Sequence, residues 1–136
     1  MVRGLAMQKQ KGSCHCGAVR FEITSDLAEL TTCDCSLCIK KNALMLKVHE
    51  SQFQLLSDAA DLSEYRWNTK IARHYFCKTC GIYTFHRKQA APDHYGVNIF
   101  CLDGVDPKSI PARATEGANM DVVKLGARAV WPGPRI

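Results

Sequence analysis

Hydrophobic and polar positions alternate along most of this chain, and a period of two is the pattern of half-buried strands. Over residues 18–24 the apolar side chains Val19, Phe21 and Ile23 fall on one face. Leu44, Leu46 and Val48 repeat the pattern, residues 53–56 follow after a short break, and Tyr65 and Trp67 share a face before Asn68-Thr69. Residues 72–77 and 82–86 flank the turn Cys77-Lys78-Thr79-Cys80 and read as two arms of a hairpin. Tyr95, Val97, Ile99 and Cys101 alternate again until Asp103-Gly104 closes the strand.

Helix signals are few. Residues 26–30 have room for a turn or two, and residues 36–43 for one short helix. Asp106-Pro107 suits a further helix start, with proline at the first position. No internal repeat, low-complexity segment or interdomain linker interrupts the pattern. The expectation is a mainly β, all-β domain with an irregular tail around Trp131.

At 136 residues the chain fits one domain, and an apolar fraction of 46% supplies a modest core that a bound metal would reinforce. No apolar run approaches the roughly 18 residues needed to cross a bilayer. Residues 1–12 are polar and basic, without a secretory h-region. The expected location is therefore the cytoplasm, where thiols stay reduced and clustered cysteines bind metal more often than they pair.

Cysteine usage changes the picture most. Seven of the eight cysteines form three clusters: Cys14-His15-Cys16-Gly17, Cys33-Asp34-Cys35-Ser36-Leu37-Cys38 and Cys77-Lys78-Thr79-Cys80-Gly81. A C-x-C pair on extended chain puts both sulfurs on one face. A C-x-x-C pair followed by glycine lets the chain turn back on an ion. Tetrahedral zinc takes four ligands, so seven cysteines divide most simply as four plus three. A set of four closes a structural site, whereas a set of three leaves a position for water or substrate unless a neighbouring side chain fills it.

The formal charge of +5 invites a nucleic-acid reading, but ligating cysteines are thiolates. Seven thiolate charges against four from two zinc ions lower +5 to +2. The basic residues are scattered, apart from Lys40-Lys41 and Arg87-Lys88, so a solvated surface is expected and not a nucleic-acid face.

The remaining candidates are weaker. Cys101 alternates with apolar residues and reads as a buried thiol. His15 and Asp34, each between two ligands, should point away from the metal. His74 reads as a packed or hydrogen-bonded strand residue, and His49, His86 and His94 have no partner visible in the sequence. Ser36, beside Cys35, is placed to donate a hydrogen bond to a thiolate.

With its flanking residues, Gly12-Ser13-Cys14-His15-Cys16-Gly17-Ala18-Val19-Arg20-Phe21, followed by the Cys33–Cys38 and Phe76–Gly81 clusters, resembles the glutathione-dependent formaldehyde-activating enzyme family. That family shares its domain with centromere protein V, and residues 95–103 are more similar to that branch. The resemblance runs from about Gly12 to Asp103. It implies a β-tent, small antiparallel sheets pinned by zinc, over residues 12–125, with residues 1–11 as an extension and 126–136 as a tail. It also implies which cysteines share an ion: Cys14, Cys16, Cys77 and Cys80 a structural zinc, and Cys33, Cys35 and Cys38 a second, open one.

The activity implied is that of a zinc-dependent carbon–sulfur lyase with two zinc ions per chain. Its partner would be a small thiol such as glutathione, in adduct with formaldehyde, and the catalytic residues would be the three ligands of the open zinc. The alternative is a noncatalytic interaction module in the manner of centromere protein V. That protein carries a long basic N-terminal region, whereas eleven residues precede Gly12 here, which favours the enzyme.

Overall fold

The computed structural model describes residues 6–33, 36–41, 44–66, 73–87 and 93–115. Within them the chain is mostly β, as two sheets. The smaller has strand order β1-β2-β5, with β1 Gln8–Ser13, β2 Arg20–Ser25 and β5 Phe53–Leu55. The larger has the order β10-β3-β4-β9-β8-β7-β6. Its strands are β3 Leu30–Cys33, β4 Met45–His49, β6 Leu62–Tyr65, β7 Arg73–Cys77, β8 Tyr83–Arg87, β9 His94–Asn98 and β10 Ala112–Thr115. Pairing is antiparallel throughout except that β10 runs parallel to β3, with Thr115 opposite Cys33. One short helix, α1 (Ser36–Lys41), follows β3.

The sheets pack through an aromatic core, because alternation brings Phe21 and Ile23 of β2 to the face shared with Phe53 and Leu55. Phe53 lies 4.6 Å from the ring of Phe85 and 4.5 Å from that of Tyr95, and Phe21 closes the group at 5.5 Å from Phe53. Leu30, Leu46, Val48 and Val97 complete it from the larger sheet, and Ile99 from the turn after β9. Full burial of such side chains stabilises by roughly 1.5–3 kcal/mol each, and favourable ring pairing adds about 0.5–1.5 kcal/mol per pair.

The larger sheet has a second face of different character. His74 of β7 is directly opposite His86 of β8, and His86 is opposite Gly96 of β9. Both histidines are buried.

Several expected elements differ in detail. The strand over 95–101 ends at Asn98, whose side chain accepts from the Phe100 N–H and starts a 3-10 turn, Ile99–Cys101. Residues 26–30 form no helical turn. The Ser25 and Asp26 side chains instead accept from the N–H groups of Leu27 and Ala28, and Leu27 takes a positive φ of 53°. The helix after the central cluster is present, and at Asp106-Pro107 the chain makes a 3-10 turn, Pro107–Ser109, capped by Asp106. The smaller sheet begins at Gln8, so residues 8–11, expected to precede the domain, pair with β2. Trp67 and the C-terminal tail with Trp131 lie outside the described residues.

Candidate metal centre

Two loops meet where the sheets adjoin. After β1 the chain turns through residues 14–19, with the Cys14 N–H donating to the Val19 carbonyl and the Val19 N–H to the Cys14 sulfur at 3.3 Å. After β7 it turns through residues 78–80. There the Thr79 and Cys80 N–H groups donate to the Cys77 sulfur at 3.3 and 3.4 Å, and Gly81 takes a φ of 77°, which an L side chain resists.

These turns bring Cys14, Cys16, Cys77 and Cys80 together, with all four sulfurs within 4.8 Å of one another. The Cys14–Cys16 and Cys16–Cys77 sulfurs are each 3.6 Å apart, far beyond the ~2.05 Å of a disulfide. Sulfurs bound at about 2.3 Å to a tetrahedral zinc would be about 3.8 Å apart, so the spacing and the soft donor set fit that ion. The cluster rests on an apolar pad: Cys14, Cys77 and Val19 are buried, with Ala18, Leu55 and Leu62 against them.

The local field bears on ionisation. The N–H groups of Cys16 and Ile82 draw the Cys80 thiol down to about 6. The Cys77 thiol is also lowered, chiefly by the Cys80 N–H. Cys16 goes the other way. The Ala18 N–H, its largest single influence, draws it down, but desolvation and the sulfurs of Cys14, Cys77 and Cys80 together push it up to about 11. Four thiolates this close repel one another, and a bound cation removes the conflict.

Of the central cluster, Cys33 is the last residue of β3 and Cys38 belongs to α1. Cys35 and Asp34 lie outside the described residues, as do the side chains of Cys33, Ser36 and Cys38. Cys101 is buried, donates to the Tyr83 carbonyl at 3.5 Å, and is pushed up to about 12 by burial and then by the Cys14 and Cys80 sulfurs. His15 is exposed.

The histidines without a visible sequence partner acquire partners here. His49 and His94 are cross-strand neighbours that both meet Asp93, at 3.4 and 2.8 Å. The larger group is on the second face of the seven-stranded sheet. The His74 and His86 rings stack 5.1 Å apart. The Lys41 ammonium is 3.0 Å from Nδ1 of His74 and 3.8 Å from the centre of the Tyr83 ring. The Tyr83 hydroxyl meets Nδ1 of His86 at 2.5 Å. The sequence signal for this group is that two histidines flank the Cys77–Cys80 turn on paired arms.

A mainly β domain whose two sheets meet at a four-cysteine cluster has a donor set that could hold a thiolate-bound metal ion. Residues 9–117, well over half of the chain, match the family model described as glutathione-dependent formaldehyde-activating enzyme, and the chain belongs to that family. A Penicillium rubens protein carrying the name of a glutathione-dependent formaldehyde-activating enzyme is 26% identical over 120 residues. The matched region covers 84% of this chain and 62% of that protein, so the chain spans less than two thirds of that relative's length. The crystal structure of a Rhodobacter sphaeroides protein is similar, with a TM-score of 0.70 and 39% identity over 76% of this chain and 99% of the other. Among the described residues, no helix is long and apolar enough to cross a membrane.

Proposed function

We propose that this chain is a zinc-dependent carbon–sulfur lyase that makes and breaks the adduct between a small thiol, glutathione in the first instance, and formaldehyde. The observation that carries the reading is the division of the clustered cysteines within a chain of this family. Cys14, Cys16, Cys77 and Cys80 converge on one point and would hold a structural zinc, leaving Cys33, Cys35 and Cys38 as a set of three. Those three would hold a second zinc with one tetrahedral position open.

Bound there, the ion would supply a positive charge that favours a substrate thiol as its thiolate. The protein's part is to hold three sulfurs so that the fourth ligand comes from outside. Cys33, at the end of a strand paired on both edges, and Cys38, on α1, are backbone positions on regular elements. Cytoplasmic residence belongs to the same reading.

Substituting cobalt for zinc tests it. The cobalt spectrum should shift when glutathione is added to wild type and stay unchanged in Cys38→Ser. A spectrum indifferent to thiols, with a fourth protein ligand in place, would sink the lyase reading and favour a noncatalytic binding module.

A further inference from the structure

We propose that Lys41 and Tyr83, each backed by a buried histidine, are the proton-handling group of the thiol–aldehyde reaction, donating to the carbonyl oxygen as the C–S bond forms. This rests on the lyase reading above. Three separate features build the group.

The first is a break in register. Simple alternation along β8 would put Tyr83 with Phe85 and Arg87 on the aromatic-core face. Between Tyr75 and Phe76 the β7–β8 pairing shifts, so that Phe85 is opposite Tyr75 but Tyr83 is opposite Phe76. Thr84 is the extra residue; it is fully buried and donates to the Tyr75 carbonyl at 3.2 Å. One inserted residue reverses the side-chain parity, and Tyr83 comes to the His86 face. Bulges re-aim side chains in this way beside active sites.

The second is room for an imidazole. A Cβ at Gly96, opposite His86, would lie 2.5 Å from the ring's Cε1. Only glycine lets His86 lie flat over β9 and stack on His74.

The third is the position of Lys41. It is three residues after Cys38 on α1, which places the two positions on one face of the helix, one turn apart. From there its ammonium reaches Nδ1 of His74 and the Tyr83 ring. An ammonium has only donors, so Nδ1 of His74 accepts and its neutral ring carries the proton on Nε2.

The arrangement separates two tasks. His74 and His86 are 6% and 8% exposed, while Lys41 and Tyr83 are partly exposed. The two outer groups are the ones a substrate can meet, and the two rings behind them hold them and exchange protons with them. In the addition, the thiol S–H bond breaks and its proton enters the group. The sulfur electron pair forms the C–S bond, and the C=O π pair moves to oxygen. The oxygen then takes a proton from Tyr83 or Lys41, and the group ends in its starting state. No oxidant or reductant is needed, and the reverse sequence is the lyase direction. The substrate class is a hemithioacetal of a small aldehyde, whose single hydroxyl is the group contacted.

The test uses the zinc-loaded full chain, glutathione and 13C-formaldehyde, with exchange between free and thiol-bound label followed by NMR. Tyr83→Phe removes one oxygen and keeps the ring under Lys41; Lys41→Met keeps the stem. Both should retain wild-type zinc content and the thiol-induced cobalt shift, and lose about 10²-fold in exchange rate. In wild type, the ring 15N resonances of His74 and His86 should move when formaldehyde is added to the glutathione-loaded protein, a readout that packing alone would leave still. If Lys41→Met fails to fold, Tyr83→Phe decides. Wild-type exchange in Tyr83→Phe overturns the inference while leaving the lyase reading intact, provided Cys38→Ser is inactive. Full exchange in Cys38→Ser overturns both.

Discussion

The sulfur of Cys16 lies 3.6 Å from that of Cys77, although the two residues are 61 positions apart. Cys16 belongs to the loop leaving the smaller sheet and Cys77 ends a strand of the larger one, so an ion bound between them would join the sheets. Elsewhere the sheets meet through the core around Phe21, Phe53 and Phe85, with Ile23, Leu46 and Val97 among its members.

If the cluster holds its ion as proposed, removing it should unfold the domain rather than loosen a loop. Strong chelation, or Cys80→Ser, is expected to abolish the cooperative thermal transition, because metal-binding free energy of a thiolate site is folding free energy. Cys35→Ser should fold and carry less zinc than wild type. Calorimetry with elemental analysis checks both, and a Cys80→Ser protein with a wild-type transition would refute the structural role.

Cys101 should be dispensable for metal. Cys101→Ala should keep the wild-type zinc content and cost about 1 kcal/mol or less, the scale of a small cavity at a buried site. Loss of zinc in that variant would make Cys101 a ligand.

The same thiol makes a prediction about pH. Its folded value is pushed up to about 12 from an ordinary 9.0, so the folded state favours the protonated form. Below pH 9 the thiol is protonated in both states and adds no slope. Between about 9 and 12 the unfolded chain releases a proton that the folded chain keeps, and stability falls as pH rises. Denaturant titrations should show this slope in wild type and its reduction in Cys101→Ala; identical slopes would contradict the burial assigned to Cys101.

Gly96→Ala should cost about 1–3 kcal/mol, the usual range for overpacking, since the new methyl would lie 2.5 Å from Cε1 of His86. Displacement of the His86 ring should appear in its NMR resonances. A neutral substitution would mean the ring has space to retreat.

Legibility in the sequence followed side-chain period closely. Phe21 and Ile23 were readable because β2 buries that face and leaves the other more exposed, while Val19, just before the strand, is buried against the cysteines instead. β1 was not, because Gln8–Ser13 is a polar edge strand with no apolar repeat, held by its ladder to β2. Cys101 is buried as expected, but in a 3-10 turn rather than a strand, since the Asn98 side chain ends the alternation and leaves Phe100 exposed. Spacing alone left open which cysteine pairs share an ion, because that depends on how two sheets adjoin. The Lys41–His74–His86–Tyr83 group was hidden for a different reason. It requires a register shift between Tyr75 and Phe76, and no single-strand pattern encodes which residue of a bulge turns over.

The distance in sequence between the two halves of the four-cysteine cluster also sets an order of events during synthesis. Cys77 ends one arm of a hairpin and Cys80 lies in its turn, so the two can meet as soon as the turn emerges. Cys16 leaves the ribosome 61 residues before Cys77, the nearest cysteine of the other pair, which at about 5–20 residues per second is a wait of about 3–12 s. Throughout that interval the first pair is a bare dithiol, open to oxidation and to competing soft metals. If zinc is the ion that closes this cluster, a shortage of it or an oxidative load would act on the chain at this stage, before folding is complete.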